Sequence, residues 1–299
     1  NLTDNSSGYN VAVGYAAGAA VTTGIQNTII GGLAGDAVTT GSYNVILGTN
    51  GGGGVTTGSQ NIIIGQGTAM GVLTGSLNTI VGDSAGAAMT SGTQNVAVGA
   101  LTLDANTTGQ RNTAVGQQAM GFNTTGDFNT ALGRDALHKN TTADYNVALG
   151  YGALYENTTG APNVAVGANA LDANTTGGSN VAVGFESLTA NTEGNFNTAL
   201  GRGALAANVT AHRSTAVGYN ALTTANVSGD SNAYNTAFGF GAGAAVTTAV
   251  QSTLIGALSG DAITTGVQNT IVGYNNDVDT GGADNRFGFG VNLSLTSGS

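Results

Sequence analysis

The chain of 299 residues has no cysteine, no tryptophan, a single proline at Pro162, two histidines and six lysines and arginines. Each shortage removes a class of function. Six cations against sixteen acids, a net charge of −10, disfavour nucleic acid and anionic membranes, both of which require basic patches. With no cysteine, and with His138 and His212 lacking a repeated carboxylate or serine partner, the raw material for a catalytic constellation is missing. Both histidines read as surface residues at variable positions, and no enzymatic activity or cofactor is expected. Absence of cysteine is compatible with any compartment. No basic, apolar, small-residue leader opens the chain, and no run of about 18 apolar residues could span a bilayer, so membrane insertion is not expected. Asn1 is not an initiator methionine and the chain enters its pattern midway, which suggests a processed chain or a segment of a longer one.

What the chain does have is glycine, 51 residues of it, and a period. An NxxxG anchor falls at Asn10, Asn27, Asn44 and every 17 residues to Asn197, then with Ser at Ser214; a 21-residue step leads to Asn235, and Ser252 and Asn269 resume the 17. A constant short period is the mark of a solenoid or fibre. Counting from the anchor as position 1, position 2 is Val, Thr or Ile, position 3 is Ala, Ile or Leu, position 4 is Val, Ile, Leu or Phe, and position 5 is Gly in all sixteen copies. That is a short β-branched strand ended by a turn glycine; two glycines and a Thr-Thr pair per repeat leave no room for an amphipathic helix. A second strand is expected around positions 13 to 15, the TTG of each repeat.

Side chains alternate across a strand, so positions 2 and 4 face one way and position 3 the other, yet both faces are apolar. Strands of that kind are covered on both sides. Position 3 is therefore expected to face another copy of the chain, through Ile29, Ile46, Ile63, Ile80, Ala97, Ala114, Ala131, Ala148, Ala165, Ala182, Ala199, Leu254 and Ile271. A flattened monomer with alanine on its surface is the alternative. Positions 9 and 12 exchange bulk, Gly35 with Val38 in an early copy and Leu137 with Asn140 in a middle one, so both should face one close-packed interior. The fold expected is all-β, a parallel β-solenoid of about seventeen 17-residue coils, on the order of 80 Å long at roughly 4.8 Å per coil. Anchor asparagines should ladder along it. Residues 1–9 read as a partial entry coil, 10–281 as the shaft with an insertion loop at 225–234, and 282–299 as a cap or a passage into another domain, where the 17 is abandoned.

Two stretches, NTAVGQQAMGFNTTG (Asn112 to Gly126) and NVALGYGALYENTTG (Asn146 to Gly160), resemble the NTAVGYxAL repeats of phage tail-fibre proteins. Their NxAVG element is also similar to the head repeat of YadA-type trimeric autotransporter adhesins. The resemblance covers Asn10 to about Gly273. It implies a left-handed roll, a homotrimer and a role in host attachment, outside a cell or on a virion surface. The period is longer than in the adhesin head, and neither a membrane anchor, a coiled-coil stalk nor a chaperone domain is seen. A non-enzymatic shaft of a tail fibre or surface adhesin is the first functional expectation. A self-assembling extracellular filament or matrix protein is the second, and an ice-binding solenoid using its threonine columns the third.

Local candidates are few. Asp127 and Asp144 share position 16 in adjacent copies, where calcium could bridge them, though no calcium-loop spacing is present and solvated acids are the simpler reading. Asn106, Asn123, Asn140, Asn157, Asn174 and Asn208 stand at position 12 in NxS/T sequons, open either to glycans or to a buried ladder. Tyr43, Phe128, Tyr145, Phe196 and Tyr234 precede anchors and read as a stacked aromatic ladder or a sugar-binding surface. The inserted loop offers Asn226, Asp230, Asn232 and Tyr234 for recognition, of a cell-surface glycan or a protein receptor.

Overall fold

The structure is a computed structural model describing residues 8–229, 231–278 and 281–295. The chain is all-β, a parallel β-solenoid of about seventeen coils. Its contacts group into two compact units, Asn1–Asn146 and Val147–Ser299. The first contains β1 (Val11–Val13), β2 (Thr28–Ile30), β3 (Val45–Leu47), β4 (Ile62–Ile64), β5 (Thr79–Val81), β6 (Val96–Val98), β7 (Thr113–Val115) and β8 (Thr130–Leu132). The second contains β9 (Val147–Leu149), β10 (Asn163–Val166), β11 (Asn180–Val183), β12 (Thr198–Leu200), β13 (Thr215–Val217), β14 (Thr236–Phe238), β15 (Thr253–Ile255), β16 (Thr270–Tyr274), β17 (Asp277–Val278), β18 (Phe287–Val291) and β19 (Ser294–Leu295). Within each unit the coil strands pair in parallel with the register of the repeat, Thr28 beside Val45 and Val181 beside Thr198.

The two faces of the strand are the reverse of the sequence expectation. Position 3 is inward: Ile29, Ile46, Ile63, Ile80, Ala97, Ala114, Ala131, Ala148, Ala165, Ala182, Ala199, Leu254 and Ile271 are all 0% exposed within a single chain. They fill their own coils, so they do not form a face for another copy. The outward side chains are those of positions 2 and 4, half-buried or exposed, with Ile62, Leu132, Leu200 and Phe238 among the most open.

Position 3 belongs to the same packing unit as positions 9 and 12. Ile29, Ile46 and Ile80 accompany Gly35, Gly52 and Gly86 at position 9 and Val38, Val55 and Met89 at position 12. Ala131, Ala165 and Ala199 accompany Leu137, Leu171 and Leu205, with Asn140, Asn174 and Asn208. A Cβ on Gly35 would stand 3.0 Å from Ile46 Cδ1 and 3.3 Å from Val38 Cγ2, so the room glycine leaves is already filled. One core volume is thus filled in two ways, as close packing demands. Ala131→Ile alone is expected to overpack the coil and cost about 1 to 3 kcal/mol. Adding Leu137→Gly should recover most of that loss, since Leu137 holds a left-handed φ of 52° that glycine adopts freely; thermal melts of the single and double variants check it.

Positions 13 to 15 do not form a second strand. Thr158, Thr159 and Gly160 all donate their backbone N–H to the one carbonyl of Thr175, at 3.0, 3.2 and 3.2 Å, which bends the chain instead of extending it. The bridge Val55–Leu73 is an isolated exception, where Leu73 takes the inward place and Val72 is exposed.

The C-terminal stretch keeps the period rather than abandoning it. β18 pairs with β16 in register, Thr270 beside Phe287 and Gly273 beside Gly290, and β19 pairs with β17, Asp277 beside Ser294. Arg286 occupies the anchor place, its backbone N–H donating to Asn269 Oδ1 at 2.8 Å as an anchor asparagine would.

Candidate functional site

Three polar columns run from coil to coil, and each has a structural task. At position 1, Asn129 donates its backbone N–H to Asn112 Oδ1 at 2.9 Å, donates Nδ2–H to the Ala143 carbonyl at 2.8 Å, and accepts the Asn146 N–H on Oδ1 at 2.9 Å. Asn27, Asn44, Asn61 and Asn78 repeat this pattern, so the expected anchor ladder is present, and it also ties the start of each coil to its end. At position 12 the sequon asparagines are buried: Asn123 Nδ2 donates to Asn106 Oδ1 at 2.9 Å and to the Gly126 carbonyl at 3.1 Å. In the second unit Asn174, Asn191 and Asn208 do the same, Asn191 without a sequon, which favours the ladder over the glycan reading.

The third column, position 16, was not legible as such. Gln110 N–H donates to Asp127 Oδ1 and Asp127 N–H to Asp144 Oδ1, both at 2.6 Å. Ser42, Ser59, Asn195 and Asp284 accept from the preceding coil in the same way. Asp127 and Asp144 are therefore placed to satisfy backbone N–H groups rather than to face one another across a cation. Among the described residues no group of three or more His, Cys, Asp or Glu is gathered for a metal. The signal that could have found this column is the shared acceptor capacity of Ser, Asp, Asn and His, hidden by their differing identity.

Both histidines are buried, 7% and 8% exposed, contrary to the surface reading. His138 Nδ1 lies 3.0 Å from the Gln118 carbonyl, and its ring meets Phe122 edge-on at 4.9 Å. His212, at position 16, accepts the Asn195 backbone N–H on Nδ1 at 2.8 Å.

Aromatic side chains line the borders of the outward strand face. At position 17, Phe128 and Tyr145 stack with centroids 5.1 Å apart and Arg111 lies 5.1 Å over Phe128. At position 6 of the second unit, Arg202 lies 5.5 Å over Phe185 and 5.8 Å over Tyr219, which stacks on Phe240 at 5.2 Å. Arg213 lies 5.1 Å over Phe196 and 5.9 Å over Tyr234. Of the insertion-loop candidates, Asn232 and Tyr234 come together at Arg213, whose guanidinium donates to Asn232 Oδ1. Asn226 does not join them; its N–H donates to the Thr247 carbonyl. Asp230 lies outside the described residues.

Asp277 occupies position 9 and is half-buried beside the buried Val278. Burial pushes its carboxyl up to about 6, against the lowering effect of N–H donation from Val278 and Ala262, and the nearby Asp261 adds to the rise. Burial also raises Asp104 and Asp172, the latter against a hydrogen bond from Thr189. A carboxyl raised in the folded state costs stability wherever it is ionised, so the cost is present above about pH 6 and is relieved as pH falls through that value. The chain is expected to melt at a higher temperature near about pH 5 than near about pH 7.5, and Asp277→Asn should flatten that dependence. Compared with known families and with curated proteins, the chain matches no family model and no curated protein.

Proposed function

We infer that the chain is a non-enzymatic structural shaft of an extended fibre, of the kind a phage tail fibre or surface adhesin uses to reach a host or another surface, working outside a cell or on a virion. The observation that carries this reading is the use of recurring polar side chains, buried at the anchor and position 12 and half-buried at position 16. Anchor, position-12 and position-16 side chains are engaged in joining one coil to the next, as a load-carrying ladder needs and as a catalytic cleft does not. Self-association through the outward face of positions 2 and 4 completes the shaft, with three copies by resemblance. Val, Ile, Leu and Phe half-exposed on successive rungs make a stripe that a second copy would cover. Electron microscopy of the purified chain, with limited proteolysis, tests it: particles of one fixed length that survive digestion are expected, and compact globules or rapid degradation would contradict it.

An end-to-end filament is the second reading, because β1 and β18 each have a parallel partner on one side only among the described residues. Particle length rising with concentration would select it. An ice-binding surface finds less support: position-13 hydroxyls such as those of Thr107 and Thr124 donate to the next coil, at 3.0 and 2.9 Å.

A further inference from the structure

Where the four-residue insertion re-enters the solenoid, a corner of the second unit gathers groups that no other rung combines among the described residues. A pocket of about 240 Å³ is lined by Asn195, Phe196, His212, Arg213 and Asn232. Phe196 and Tyr234 stand 56% and 49% exposed on either side of the Arg213 guanidinium, which lies over one face of each ring. Because His212 Nδ1 accepts from Asn195, the neutral ring carries its proton on Nε2. Asn232, brought level with Arg213 by the insertion, supplies an amide.

We propose that this corner binds a carboxylate-bearing sugar, with the sugar's apolar face on Phe196 or Tyr234 and its carboxylate on Arg213. Three properties of the site select that class. Exposed aromatic rings take the C–H face of a pyranose, and a guanidinium fork matches a carboxylate in charge and in two-point geometry. Asparagine amides pair with hydroxyls that both donate and accept. The pocket has the volume of about one sugar residue. Arg202, set over Phe185 and Tyr219 without an Asn–His pair beside it, provides an internal control. The site needs one chain only and stands whether or not copies assemble into a shaft.

The test is calorimetric titration of the full chain with sialyl-lactose against lactose, and with a glucuronate-containing disaccharide against its neutral counterpart. At least one acidic member should bind and its neutral partner should not. Arg213→Ala and Phe196→Ala should each weaken that binding about tenfold or more while leaving the melting temperature unchanged, both side chains being exposed. Arg202→Ala should bind like the parent chain. Equal affinity for acidic and neutral sugars, no binding of either acid, or undiminished binding by Arg213→Ala overturns the proposal.

Discussion

Replacing Gly116 by alanine is expected to open the coil it closes. Gly116 is position 5 of its repeat and holds φ at +132°, outside the range that a residue with a side chain adopts at low cost. A methyl there would also overlap the carbonyl of Gly133, the same position one coil on, and that carbonyl is backbone and cannot swing away. Backbone strain and steric overlap together come to on the order of 2 to 6 kcal/mol. In a solenoid such damage stays with the altered coil and its neighbours. Hydrogen exchange should therefore show lost protection around β6 to β8, with the far coils unchanged. Gln117→Ala, at the next and exposed position, should leave the pattern as it was.

Asn129→Ala is expected to destabilise the chain through a buried polar group that loses its partner. The change takes from the Asn146 N–H the Asn129 Oδ1 it meets at 2.9 Å, in a place that is 0% exposed, while the Ala143 carbonyl loses one donor and keeps Asn140 Nδ2 at 3.0 Å. One buried group deprived of that partner costs roughly 1 to 3 kcal/mol. Asn129→Ser should recover part of the loss, because the chain already uses serine as an anchor: Ser252 Oγ accepts the Asn269 N–H at 3.4 Å. Denaturant unfolding of the three chains gives the order Asn, Ser, Ala if the ladder matters as argued. An alanine variant within about 1 kcal/mol of the parent would show that the amide column is ornamental.

The period and the short alternation of β-branched residues made the strands and their register readable from Asn10 onward, and the anchor ladder with them. Which face lay inside was not read from that alternation, because position 4 is as apolar as position 3, although the threonine that fills position 2 in nine of the sixteen copies points to the outward face. The deciding signal was the coupling of position 3 to position 9, as in Ile46 with Gly52 against Ala131 with Leu137. Large residues are exchanged only among side chains that share a volume. The bend at positions 13 to 15 was misread as a strand since TTG has β-prone composition, whereas three donors sharing the Thr175 carbonyl is a backbone fact. Beyond Asn269 the anchor letter changes to Arg286, which hid the last coil, although Gly290 still sits 17 residues after Gly273. At the candidate corner, Tyr234 and Asn232 were legible from the register break. Arg213 and His212 were not, since they belong to the preceding regular coil and meet the loop only in space.

With position 3 turned inward, Ala148→Asp would break a coil rather than an assembly, and the self-association proposed above would use the outward column of positions 2 and 4. Light scattering of the purified chain beside Leu200→Asp, a change at a position 46% exposed, tests this most directly. The account predicts a parent mass that is a whole multiple of 29.1 kDa and a folded variant at 29.1 kDa. A parent chain that stays at 29.1 kDa at every concentration, or a Leu200→Asp variant that keeps the parent's mass, would contradict it.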